Sequence, residues 1–129
     1  VDTLKKHGAK DENIMIKTVP GSFELIYAAS ALQTSGQYDA LIVLGSVIRG
    51  ETPHFEYICS AVAQGIGSLN VRAGEQGLPP VIFGVLTDNH IDQSRARSGG
   101  RLGNKGVECA VDAIRMGHLY RNWNHKPIK

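Results

Sequence analysis

Two short apolar runs constrain the fold of this chain more than any other feature of its sequence. Residues 40–44 and 81–86 consist of aliphatic and aromatic residues with one glycine, and polar residues, glycine or proline bound each run. Such runs are typical of strands that helices cover on both faces, as in a parallel sheet. Between them lies an amphipathic helix pattern, whose apolar face holds Phe55, Ile58, Val62, Ile66 and Leu69.

Further strand and helix patterns surround these two runs. Ile14, Ile16 and Val19 alternate with polar residues ahead of Pro20, which predicts a strand that ends in a turn. Ser22 is predicted to cap a helix over residues 23–34, with Gly36 at its C-terminal stop. The rest of the chain predicts a short polar helix over residues 91–98, a glycine-rich break over 99–106, and a last helix marked by Val107, Val111, Ile114 and His118.

This alternation of strands and helices predicts an α/β fold, a three-layer sandwich with a mainly parallel sheet and right-handed crossovers. A chain of 129 residues fits a single domain. Ligands in such folds usually bind beyond the carboxyl ends of the strands. We therefore expect the working edge to comprise residues 20–24, 46–54 and 87–90.

Composition and charge exclude several classes of protein. Hydrophobic residues make up 42% and charged residues 20% of the chain, and the net charge is +2, so neither a membrane span nor a nucleic-acid footprint is indicated. The polar start of the chain does not resemble a signal peptide, which makes the cytoplasm the expected location. Cys59 and Cys109 are expected to be buried reduced thiols, and we expect neither a metal nor a cofactor.

Residues 45–52 nearly spell a phosphate-binding loop between a strand and a helix. Glu51, however, stands where such a loop has lysine, and its carboxylate disfavours a polyphosphate. A single phosphate can still be held by backbone amides around Glu51 and Thr52 and by the Thr52 hydroxyl. The alternative is a capped turn without a ligand.

Charged and titratable residues after this segment are further candidates for a functional role. His54 falls in the first turn of the predicted helix, where the helix dipole favours a neutral imidazole that can transfer protons; alternatively it is a surface residue. Arg97, Arg101 and Lys105 concentrate positive charge around glycines, which suits an anionic substrate or a solvated helix break. Glu108 either orients a histidine or faces water, and His118 is expected to pack within the fold.

Four segments, in this order and at this spacing, resemble the lumazine synthase family. They are residues 19–25 (VPGSFEL), 44–55 (LGSVIRGETPHF), 80–87 (PVIFGVLT) and 103–106 (GNKG). The similarity runs from about residue 14 to residue 116. It implies a flavodoxin-like fold and an enzyme that condenses 5-amino-6-(D-ribitylamino)uracil with 3,4-dihydroxy-2-butanone 4-phosphate, with loss of phosphate and water, in riboflavin biosynthesis.

The resemblance also implies a role for each candidate residue. His54 transfers protons, and Glu108 orients it. Glu51 and Thr52 contact the butanone phosphate, and Arg97 neutralises its charge. The pyrimidine substrate is bound by Ser22, Phe23, Glu24, Ser46, Val47 and Ile48. The adjacent subunit of a homo-oligomer, either a pentamer or an icosahedral capsid, contributes Phe83, Arg97 and Lys105.

Two departures from the family pattern stand out. The family usually has a further strand ahead of Val1, with an aromatic residue that stacks on the pyrimidine, so we expect residues 1–129 to form one domain without that strand. Ile26 stands where the family often has proline, which is expected to alter only the helix start. A competing interpretation is a non-enzymatic shell or flavin-binding protein on the same fold. Loss of His54 or Arg97 would have favoured that interpretation, and both residues are present.

Overall fold

A computed structural model describes residues 1–48, 54–88, 98–100 and 103–123. Its α-helices are α1 (Asp2–Lys6), α2 (Leu25–Thr34), α3 (His54–Gln76) and α4 (Lys105–Asn122). Its strands are β1 (Leu41–Ile48), β2 (Val81–Asp88), β3 (Ser98–Gly100) and β4 (Gly103–Asn104), and single 3-10 turns form at Asp11–Asn13 and Ser22–Glu24.

The two apolar runs form neighbouring parallel strands, as their composition predicts. β1 pairs with β2 from Leu41 opposite Val81 to Ile48 opposite Asp88. Both strands continue past the ends of the apolar runs, because backbone pairing does not require the side chains at the carboxyl end to be apolar. α3 connects the two strands, so they form a βαβ unit.

Side chains that alternate along the strands build a core on each face of this sheet. On one face, Leu41 and Val43 of β1 pack with Val62, Ile66 and Leu69 of α3, which confirms the predicted apolar face of that helix. Ala29 of α2 joins the same cluster. On the other face, Cys109 of α4 lies over Gly84. Helices on both faces of a parallel pair confirm the predicted α/β layers.

The predicted strand over residues 14–19 is wrong, because that segment forms no ladder. A cleft of about 750 Å³ is lined by this segment, by residues 41–45 of β1, and by α2 and α4. The backbone is extended at Ile14, yet residues 14–19 form no strand, and Met15 and Ile16 are exposed.

The predictions for the two ends of α2 have different outcomes. Ser22 does not cap the helix, because a 3-10 turn comes first and neither Gly21 nor Glu24 makes a side-chain cap. Gly36 does mark the C-terminal end, with a left-handed φ of 74° just beyond Ser35. The short helix α1 follows no pattern identified in the sequence.

The glycine-rich break over residues 99–106 is also only partly correct. β3 and β4 form a short antiparallel pair within it. α4 then begins at Lys105, because the Asn104 side chain accepts hydrogen bonds from the backbone N–H groups of Gly106 and Val107, at 2.8 and 3.3 Å. The predicted polar helix over residues 91–98 lies outside the described residues except for Ser98, which begins β3.

His118 does not pack in the core, contrary to prediction. It lies on the exposed side of α4, where Asn122 approaches its ring. The buried positions of α4 are instead small residues, namely Cys109, Ala110, Ala113 and Gly117. Small side chains allow the helix axis to approach the sheet closely, which the apolar periodicity did not reveal.

Candidate active site

The carboxyl ends of β1 and β2 define the edge at which the sequence places the site. Because the strands are parallel, Ile48 and Asp88 lie side by side at this edge. α3 begins at His54, six residues beyond Ile48 at the end of β1, so the His54 backbone lies in the first turn of that helix. The side chain of His54 lies outside the described part of the chain, as do Glu51, Thr52 and Arg97.

The Ser22–Glu24 turn lies against this half of β1. The Ser22 oxygen Oγ is 2.8 Å from the position that a Cβ on Gly45 would occupy. Ser22 is half-buried in this contact, whereas Phe23 is 52% exposed and Glu24 is also exposed. The turn therefore presents an aromatic ring and a carboxylate beside the carboxyl half of the strand, an arrangement suited to a polar planar ligand.

The candidate residues on β1 divide between the two faces of the sheet. Val47 packs against the α2–α3 core, while Ser46 is exposed on the opposite face. Ile48 is the last residue of the strand. Phe83 lies apart from these residues of β1. It is in the middle of β2, opposite Val43, and packs half-buried against the same core.

Lys105 and Glu108 lie in the first turn of α4. The Lys105 Nζ is 4.0 Å from a Glu108 carboxylate oxygen, and the Glu108 side chain is 68% exposed. An ion pair in which one partner is this exposed to solvent contributes little to stability. Both side chains remain accessible to a ligand or to another copy of the chain.

The two cysteines provide no reactive nucleophile at neutral pH. Burial raises the pKa of the Cys109 thiol, whose Sγ lies 3.8 Å from the Phe83 carbonyl oxygen. Desolvation also raises the pKa of Cys59, which is only half-buried, so the prediction of two buried thiols is correct for Cys109 alone. A protonated thiol is a weak nucleophile.

The described ranges, 1–48, 54–88, 98–100 and 103–123, contain neither a metal-binding cluster nor a membrane-spanning helix. No group of three or more His, Cys, Asp or Glu side chains there is arranged to hold a metal ion. No helix in the same part of the chain is long and apolar enough to cross a membrane.

Sequence reasoning missed the role of Gly45, which it treated as the boundary of a strand. Gly45 lies inside β1, and its φ is not positive. A glycine within a strand pattern is itself a signal for close backbone approach. Here that approach is made by Ser22 and Leu25.

Fold and candidate site together define an α/β layer protein, with a candidate small-molecule site at the carboxyl edge of a parallel sheet. The family model for 6,7-dimethyl-8-ribityllumazine synthase matches residues 1–121. The chain is 53% identical over 116 residues to the 6,7-dimethyl-8-ribityllumazine synthase of Bacteroides fragilis, covering 90% of this chain and 78% of that protein. It is 50% identical over 121 residues to the protein of the same name from Porphyromonas gingivalis, covering 94% and 73%.

A third relative, from Parabacteroides distasonis, has the same name and is 55% identical over 115 residues, covering 89% of this chain and 69% of the relative. The chain belongs to the 6,7-dimethyl-8-ribityllumazine synthase family, a family of enzymes in riboflavin biosynthesis.

Proposed function

We propose that this chain condenses 5-amino-6-(D-ribitylamino)uracil with 3,4-dihydroxy-2-butanone 4-phosphate to give 6,7-dimethyl-8-ribityllumazine, phosphate and water. The observation that carries the proposal is the family match over residues 1–121. The reaction joins an amine to a ketone, expels phosphate and closes a ring. Each step needs protons moved and two substrates held together, which acid–base and positioning groups supply.

In this proposal the pyrimidine substrate lies between the Ser22–Glu24 turn and the carboxyl end of β1, at Ser46, Val47 and Ile48. The contact of Ser22 with Gly45 supports this pairing of segments. Glu51 and Thr52 hold the butanone phosphate at the start of α3, where helix N-termini favour anions. His54, in the first turn of α3, transfers the protons, and Glu108 orients it.

The proposal extends to a homo-oligomer with sites at its subunit interfaces, either a pentamer or an icosahedral capsid. Phe83, Arg97 and Lys105 then come from the adjacent copy. Exposed aromatic side chains support an interface, because Tyr27 is 82% and Tyr57 71% exposed in the single chain. We further propose that residues 1–129 belong to one domain and that the protein is cytoplasmic.

The direct test supplies both substrates to the purified protein and follows the lumazine by absorbance, with released phosphate measured in parallel. We expect one phosphate per lumazine, and His54→Ala should lower kcat by about 10²–10⁴, the usual effect of losing a general acid–base group. His7→Ala is the control, since His7 is exposed and its ring nitrogen contacts the Thr3 carbonyl oxygen. No lumazine from the wild-type protein would refute the activity, and an unchanged kcat in His54→Ala would refute the role of that residue.

A further inference from the structure

Gly45 is a glycine whose backbone conformation does not require one. Positive φ angles among the described glycines occur at Gly8, Gly36 and Gly77, and Gly45 lies in a regular strand opposite Val85. An L-residue can adopt this backbone without strain. The reason for glycine at this position must therefore lie in the space around it.

That space is occupied by the Ser22–Glu24 turn and the start of α2. A Cβ on Gly45 would lie 2.8 Å from Ser22 Oγ, 3.8 Å from Ser22 Cβ and 3.4 Å from Leu25 Cδ1. The first distance is shorter than real Cβ contacts allow, so a substitution at this position requires some group to move. The contact also accounts for the missing helix cap, because the Ser22 hydroxyl lies over β1.

β1 is the less movable of the two partners. β1 is paired with β2 along its whole length. Val43, two residues before Gly45, and Val85, opposite Gly45 on β2, are both buried. The turn, by contrast, is a single 3-10 turn with two of its three residues exposed. A side chain at position 45 should therefore displace the Ser22 hydroxyl, and with it the substrate-facing arrangement of the turn, and leave the strand in place.

We infer that Gly45 is a positioning residue, whose lack of a side chain sets how closely the Ser22–Glu24 turn approaches β1 and thereby shapes the pocket for the pyrimidine substrate. The inference rests on the proposed function. Gly45 acts through the turn and not by contact with the substrate. The butanone phosphate, assigned to the start of α3, should not sense the displacement.

The test is a separation of Michaelis constants in the whole protein. Gly45→Ala should raise KM for the ribitylaminouracil about tenfold, equivalent to about 1.4 kcal/mol of binding. KM for the butanone phosphate and kcat should stay within about twofold, because neither depends on the position of the turn. A merely structural defect reduces the amount of folded enzyme and lowers the apparent kcat, without selectively changing one KM.

Gly67→Ala is the matched control, since nothing lies within 4 Å of a Cβ at that helical position. It should leave both KM values unchanged. The double variant Gly45→Ala/Ser22→Gly removes the colliding oxygen, so its pyrimidine KM should match that of Ser22→Gly alone. This comparison also tests the contact if Gly45→Ala by itself does not fold.

Each outcome has a distinct meaning. An unchanged pyrimidine KM in Gly45→Ala, or an equal rise in both KM values, overturns the inference while the activity stands. A pyrimidine KM about tenfold higher in the double variant than in Ser22→Gly also overturns it, because the added methyl group would then act without the collision. Absence of lumazine formation in both the wild type and Gly67→Ala refutes the proposed function instead.

Discussion

Gln33 is a polar residue buried in the described core, where its amide must find hydrogen-bond partners within the protein. It is fully buried, and its Nε2 donates to the carbonyl oxygens of Leu69 and Pro79, at 3.1 and 3.0 Å. Its Oε1 accepts from Arg72 Nη2 at 2.6 Å. One amide thus connects α2 to α3 and to the segment that leads into β2. Arg72 Nη2 also donates to Ser30 Oγ at 3.2 Å, whereas the Arg72 Nε is buried without a hydrogen-bond partner among the described residues.

Replacing Gln33 with leucine should destabilise the fold by about 2–4 kcal/mol, because two carbonyls and the Arg72 guanidinium lose a partner away from water. The midpoint of urea unfolding, at equal protein concentration, measures the loss. Gln64→Leu is the control, since Gln64 is exposed and should change stability by about 0.5 kcal/mol or less. Equal effects of the two variants would contradict this account of the network.

At the scale of elements, the approach of α4 to the sheet depends on the absence of a side chain at Gly84. A Cβ on Gly84 would lie 2.8 Å from Cys109 Sγ, 2.6 Å from Leu44 Cδ2 and 2.9 Å from the Val43 carbonyl oxygen. The Val43 carbonyl is backbone of the paired strand and cannot shift easily. An outward movement of α4 would relieve only the contact with Cys109, so the two strands would also have to shift.

Gly84→Ala should therefore cost about 1–3 kcal/mol of stability, the usual range for overpacking a core. Gly67→Ala, in open space within α3, should instead stabilise the protein by about 0.5–1 kcal/mol, as expected for glycine replaced in a helix. Thermal unfolding under identical conditions separates the two. Two variants that shift Tm in the same direction would contradict the close approach of α4 to the sheet.

The elements also show what the sequence can predict and what it cannot. The two buried strands, the α3 face and the β1–β2 pairing follow from runs and periods of apolar residues. Residues 14–19 have the alternating pattern of a strand yet form none, because strand pairing depends on the tertiary surroundings and not on the local pattern alone. The buried face of α4 was predicted incorrectly, because it consists of small residues. Such residues bring the helix close to the sheet but do not stand out in a pattern of large apolar residues.

The site was predictable to a similar extent. The Ser22–Glu24 segment does contact β1, at Gly45, but not for the predicted reason, because residues 14–19 form no strand of the sheet. The glycine within the β1 pattern indicates a close approach at position 45, but the partner in that contact could not be predicted, since it lies on a 3-10 turn where a capped helix was expected. The side chain of His54, together with Glu51, Thr52 and Arg97, lies outside the described residues, so their roles remain predictions.

At the scale of the whole molecule, we propose that a complete active site lies between two copies of the chain. A cyclic ring uses heterologous interfaces, in which each contact presents two different surfaces and can form a composite pocket. The proposal assigns His54 to one side of that interface and Arg97 to the other. His54→Ala and Arg97→Ala should then each be inactive alone for different reasons.

The most direct measurement mixes these two inactive variants in equal amounts, dissociates and reassembles them, and assays lumazine formation. Random assembly should leave about a quarter of the interfaces with an intact histidine facing an intact arginine, because the two choices are independent in a heterologous ring. We therefore predict recovery of about a quarter of the wild-type activity, with the assembly mass and the mixing of subunits verified by native mass spectrometry. Mixed assemblies as inactive as their parents would contradict the shared site and assign both residues to a pocket within one subunit.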